Sequence, residues 1–178
     1  MGEIKSTLEI ILDKTKDLTM SPDELKHWKR EEKLKEASIL VRKYINRDIN
    51  IDDLLKNIDN DEALKDATIY RLVENVSLLN NNENIFSAIS LLKGKDFTKE
   101  KETISLLGAD YKKEREEMIV KIGKELKNKF ERIGISGNAL IPNVEDSKEG
   151  KEALKDLHDT YINRVNEILK AIHSSHTK

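Results

Sequence analysis

Along most of the chain apolar residues return every three or four positions, and no stretch alternates with period two, so the pattern predicts helices and no sheet. Ile4, Leu8, Ile11, Leu12 and Leu18 make one stripe over residues 3–18. Ser21-Pro22-Asp23-Glu24 is a helix start: Ser21 caps, Pro22 suits the first turn and Glu24 completes a capping box. The helix it opens runs to about residue 47, with Leu25, Trp28, Leu34, Ala37, Val41, Tyr44 and Ile45 drifting around one face and the charged run KREEK interrupting it. After a polar joint at 46–53, a short helix opens at Ile51 or Asp52 and ends at Ile58. Asn60 is expected to cap the next helix, about 61–79, which turns Leu64, Ala67, Leu72, Val76 and Leu79 inward. Asn80, Asn81 and Asn82 form a turn that supplies a further cap. The helix at 83–93 buries Ile85, Ala88, Ile89 and Leu92 and ends at Gly94 in the left-handed conformation.

Two longer patterns follow. Ile104, Leu107, Tyr111, Met118, Ile122, Leu126 and Phe130 mark a helix over 98–133, about 50 Å long if continuous. Gly108 within it is a candidate kink or break. Leu154, Leu157, Tyr161, Val165, Ile168 and Ile172 mark a helix over about 147–172 with a coiled-coil-like seam. Between them lies GISGNALIPNVEDSKEG, residues 134–150, rich in turn formers yet carrying Ile135, Leu140, Ile141 and Val144. Gly134 should stop the first helix, Pro142 and Asn143 should turn the chain, and Asp146 or Ser147 should cap the return helix. A connection of about a dozen residues exceeds the usual span between bundle helices. Two readings remain open for it: a plug, in which the four apolar residues fold back over the seam, or a binding loop. The expected fold is therefore all-α, a helical bundle with an elongated antiparallel C-terminal helical hairpin. An N-terminal helical region at 1–94 and a long helical hairpin at 95–178 are expected to form one continuous domain.

Composition narrows the function classes. Hydrophobic and charged residues each make up 37% of the chain and aromatic residues only 4%, which favours thin seams of Leu, Ile, Val and Ala over a thick core. A formal net charge of -2 is no polyanion-binding signature, so nucleic acid is not the expected partner. The chain has no cysteine, which removes disulfides, thiolate metal sites and a thiol nucleophile and fits a reducing cytoplasm. No apolar run has the length needed to span a bilayer, so no membrane association is expected.

The opening EIKSTLEIILDKTK, and the GISGNALIPN loop with the acidic patch and amphipathic helix after it, resemble an uncharacterised family of small bacterial cytoplasmic proteins. The likeness covers about the first 18 residues and 134–157 and leaves the middle unmatched. It implies a small cytoplasmic protein and brings neither site nor chemistry.

Each chemical candidate competes with a plainer explanation. Glu24-x-x-His27 is one copy of a step that a di-iron bundle needs twice. His173 and His176 have chelating spacing but lie in the last six residues, where helices fray. The acids at 52–53 and 59–61 lack the central glycine of a calcium loop. Glu114 and Glu117, with Asp156 and Asp159 on the partner helix, are the candidate metal ligands for a phosphohydrolase, but antiparallel pairing offsets the two steps by roughly 10 Å. Lys121, Lys124, Lys127, Lys129 and Arg132 form a basic strip interrupted by Glu125 and Glu131 and without stacking aromatics. No catalytic residue and no cofactor follow from these patterns. The reading they favour is a non-enzymatic cytoplasmic interaction or adaptor protein that contacts a protein partner or a second copy of itself. Its candidate interaction residues are Gly134, Ile135, Leu140, Ile141, Pro142 and Asn143. A metal-dependent phosphohydrolase is the alternative, and an RNA- or ribosome-associated factor the third.

Overall fold

The computed structural model describes residues 21–135, 137 and 141–174. The stripe over 3–18, Leu140 and His176 lie outside the described residues. Helix accounts for 79% of the described residues and strand for none, so the protein is all-α. Its helices are α1 (Pro22–Ile45), α2 (Ile51–Ile58), α3 (Glu62–Glu74), α4 (Glu83–Lys93), α5 (Thr98–Arg132) and α6 (Lys148–Ser174). The chain divides into two compact units, Met1–Arg71 and Leu72–Lys178.

In the first unit the start of α1 is built as its sequence signal predicts. The Ser21 hydroxyl accepts from the Glu24 amide at 3.2 Å, and the Glu24 carboxylate accepts from the Ser21 amide at 2.7 Å. Two orphan donors are thereby satisfied reciprocally. Asn50 and Asp53 repeat the arrangement at α2. At α3 the cap is Asp61 and not Asn60: the Asp61 carboxylate accepts from the Leu64 amide at 2.9 Å and from Lys33 Nζ at 2.7 Å. Both contacts hold its carboxyl below the usual range, the lysine's contributing most.

The inward face of α1 also differs from its expected course. Ala37, Leu40 and Val41 are buried with Leu54, Ile58, Leu64 and Ala67, whereas Leu25 and Trp28 are 42% and 52% exposed. At about 100° per residue, Leu25 and Trp28 lie across the helix from Ala37 and Val41. One drifting stripe is in fact two stripes on opposite sides. Thr68 is fully buried and its hydroxyl has no hydrogen-bond partner among the described residues.

In the second unit, α3 ends at Glu74, five residues before the expected limit. The amides of Asn75 and Val76 bond three residues back, and the Asn82 side chain then takes over. Its Oδ1 accepts from the Ser77 amide at 2.9 Å, and its Nδ2 donates to the Ser77 carbonyl at 2.6 Å. A side-chain amide replaces the helical partners of this backbone, and the turn directs Leu78 inward and leaves Leu79 exposed. The Leu78 carbonyl settles on α5 at Gly108, where a Cβ would approach it to 2.3 Å. Gly108 therefore serves close backbone approach; α5 runs through it unbroken for 35 residues.

The helix ends are closed by specific partners. Gly94, at φ 61°, ends α4 with its amide bonded to the Leu91 carbonyl and the Lys95 amide to that of Ser90. Lys93 Nζ donates to the Ile172 carbonyl in the last turn of α6, where carbonyls lack helical partners and a cation is favoured. Residues that touch are ordered oppositely in α5 and α6: Tyr111 meets His158 and Tyr161, and Lys129 meets Glu149.

Candidate interaction surface at the turn between the long helices

The exit from α5 is built by three backbone bonds. The amides of Ile133 and Ile135 reach the Phe130 carbonyl, and that of Gly134 reaches Glu131. This is the paired pattern of a Schellman turn, and it requires the positive φ of 81° that Gly134 adopts. The entry to α6 is equally local. The Ser147 hydroxyl accepts from the Gly150 amide at 3.0 Å and donates to the Val144 carbonyl at 2.7 Å. Asn143 and Asp146 bind one another through side chains at 2.7 Å. Gly150 is buried, and a Cβ there would fall 1.8 Å from the Val144 carbonyl, so this turn closes only around glycine.

Val144 is the anchor. It is buried with Ile122 and Leu126, and Met118, Ile119, Phe130 and Ala153 pack around the three. Ile135 and Ile141 do not follow it: they are 49% and 86% exposed, and Ile133 beside them is 69% exposed. The plug reading is thus corrected. One of the four apolar loop residues enters the core, two face solvent, and Leu140 lies outside the described residues. Pro142 is half-buried and Asn143 exposed. Ile133 was missed as a surface residue because it continues the spacing of Leu126 and Phe130; the helix stops before that spacing finds a partner.

Charge brackets the surface. Lys129 Nζ meets Glu149 at 2.6 Å, and this hydrogen bond holds the glutamate's carboxyl below its ordinary value. Arg115 pairs with Glu145. The expected basic strip consequently loses Lys129 to an ion pair. Lys121 and Lys124 border a shallow groove of about 550 Å³ along α5 with Glu117, Val120 and Asn128. Acids alternate with those lysines, as on a solvated face.

The four acidic candidates are not drawn together. Glu114 lies beside the phenol of Tyr161, whose pKa is raised first by burial and then by that carboxylate. Glu117 faces the groove, while Asp156 and Asp159 are exposed on α6. Among the described residues no group of three or more histidine, aspartate or glutamate side chains has the arrangement to hold a metal ion. Glu24 is engaged in the α1 cap, and Tyr111 stacks edge-on against both His158 and Tyr161, with ring centroids 5.7 and 5.5 Å apart.

Comparison with protein-family models, with curated proteins and with solved structures gives no match. No helix among the described residues is long and apolar enough to cross a membrane.

Proposed function

We propose that the protein is a non-enzymatic interaction or adaptor protein, with α5 and α6 forming an antiparallel hairpin whose turn is the contact surface for a protein partner. The observation that supports this reading is the exposure of Ile133, Ile135 and Ile141 beside helix ends that are locally held. Single exposed apolar residues are ordinary. Three of them fall within nine positions, next to helix ends closed by Gly134, Ser147 and Gly150, and exposed apolar side chains so placed suit contact with a protein partner.

The test is binding by the full chain carrying Ile133→Ser, Ile135→Ser and Ile141→Ser, compared with a Leu106→Ser control at an exposed position of α5. Self-association is read by sedimentation, and retained proteins from the native cell are compared between variants. The reading expects complexes that survive in the control and vanish in the triple variant. Identical complexes in both, or none with the unaltered chain, would refute it.

A further inference from the structure

The first turns of α1 stand apart from the core. Residues 22–32 are all exposed, and the residues this helix buries are Ala37, Leu40 and Val41, in its second half. A helical segment that short is marginal in water on its own, so it gains by lying on another surface. On the side away from Ala37 and Val41, Leu25, Trp28, Glu32, Lys35 and Ile39 follow one another at steps of three and four. All five are exposed, the three apolar ones by 42%, 52% and 48%. This is a helical seam with apolar residues at both ends and two opposite charges at its middle.

The order of the residues selects the occupant. Let a second copy of this helix lie antiparallel against the first, so that each Trp28 faces the other copy's Ile39. The same spacing then sets each Glu32 against the other copy's Lys35. Each Leu25 lies over the methylene stem of the other copy's Arg42, whose charge stays in water. Apolar meets apolar and acid meets base, and the two-fold axis makes every match occur twice. Other arrangements lose this complementarity. A parallel pair in register opposes Glu32 to Glu32 and Lys35 to Lys35. An antiparallel pair shifted by one heptad sets Trp28 against Glu32 and Leu25 against Lys35. We infer that the Leu25–Trp28–Ile39 side of α1 is an antiparallel, two-fold interface with a second copy of this chain. The paired stretch, residues 25–42, measures about 25 Å. One helix from each copy makes a small interface, so the dimer is reversible on dilution. It shares no residue with the turn surface at 133–141.

Trp28 is the protein's single tryptophan, so its fluorescence reports on this face alone. The experiment follows sedimentation and Trp28 emission of the full chain over a dilution series. It compares the unaltered chain, Glu32→Lys, Lys35→Glu, and an equimolar mixture of the two variants. The unaltered chain should form dimers whose emission shifts to the blue as concentration rises. Each variant alone turns two attractive contacts into two repulsive ones and should self-associate roughly tenfold more weakly or worse. The mixture should recover the unaltered affinity, because each chain supplies the sign that the other lacks, and that recovery shows that both variants fold. A parallel pair would not be weakened by either variant. An unaltered chain that stays monomeric would overturn the inference, as would tryptophan protection that does not change on dilution, which would assign the face to the same chain. A dimer indifferent to both charge changes, such as one held by the turn at 133–141, or a mixture no tighter than its components, would also overturn it.

Discussion

The two ends of the α5–α6 pair are built to different standards. Near α4 the buried residues are sealed: Ile89 and Ile104 are fully inaccessible, and Phe97 and Ile172 are 1% exposed. Near the connecting turn, Ile122 and Leu126 keep 8% exposure, and their cluster contains one further buried residue, Val144. A third helix adds a layer at one end; at the other a single loop valine closes the seam. Two helices alone cannot surround a side chain, so the far end relies on close backbone approach at Gly150 and on charged side chains across the seam. Where the apolar core thins, the turn chemistry becomes more exacting.

The largest expected effect tests that contrast directly. Ile104→Ala should destabilise by about 4 kcal/mol and Ile122→Ala by about 2 kcal/mol, since the open end recovers part of the lost contact by collapse and hydration. Urea unfolding of the two variants decides it, and equal losses would erase the distinction between the ends. Glycine substitutions sharpen it next. Gly150→Ala and Gly108→Ala each force a methyl group against a carbonyl and should cost about 1–3 kcal/mol in spite of the better helix former. Gly123→Ala should reverse the sign: its Cβ would meet Val144 Cγ2 at an ordinary 3.5 Å, so the helix gains up to about 1 kcal/mol. Thermal melts of the three variants separate the cases.

The smallest effects come from pH. Glu149 has a depressed pKa, so its contribution is complete above the ordinary glutamate value of about 4.3 and disappears as pH falls through the lower folded value. Melting temperatures of Glu149→Gln and the unaltered protein should differ near neutrality and converge in acid. Tyr161 has the opposite sign. Its raised pKa leaves stability intact below the ordinary tyrosine value of about 10 and removes it as pH rises toward the folded value. Tyr161→Phe should lack that alkaline loss.

Much of the architecture was legible because it is locally encoded. Ser21-Pro22-Asp23-Glu24 announces α1, Gly94 ends α4 as expected, and the seam through Leu157, Tyr161, Val165 and Ile172 is buried as its spacing requires. The early end of α3 was hidden, since Asn82 reaches five residues back to take the Ser77 backbone and nothing in periodicity foretells it. The candidate surface was half legible. Its residues stand out as apolar among turn formers, but Val144 and Ile141 look alike in the sequence and have opposite fates.

The sequence by itself determined the all-α class, most helix limits and which stripes seek partners, because capping, turn geometry and helical spacing act within a few residues. Only the tertiary structure decided which stripe found one. Leu25 and Val41 carry similar side chains on one helix, and Gly108 and Gly123 occupy one helix too; the chain that lies opposite each makes the difference. Burial is a property of two surfaces, and the second surface comes from distant residues whose approach is set by the packing of whole helices.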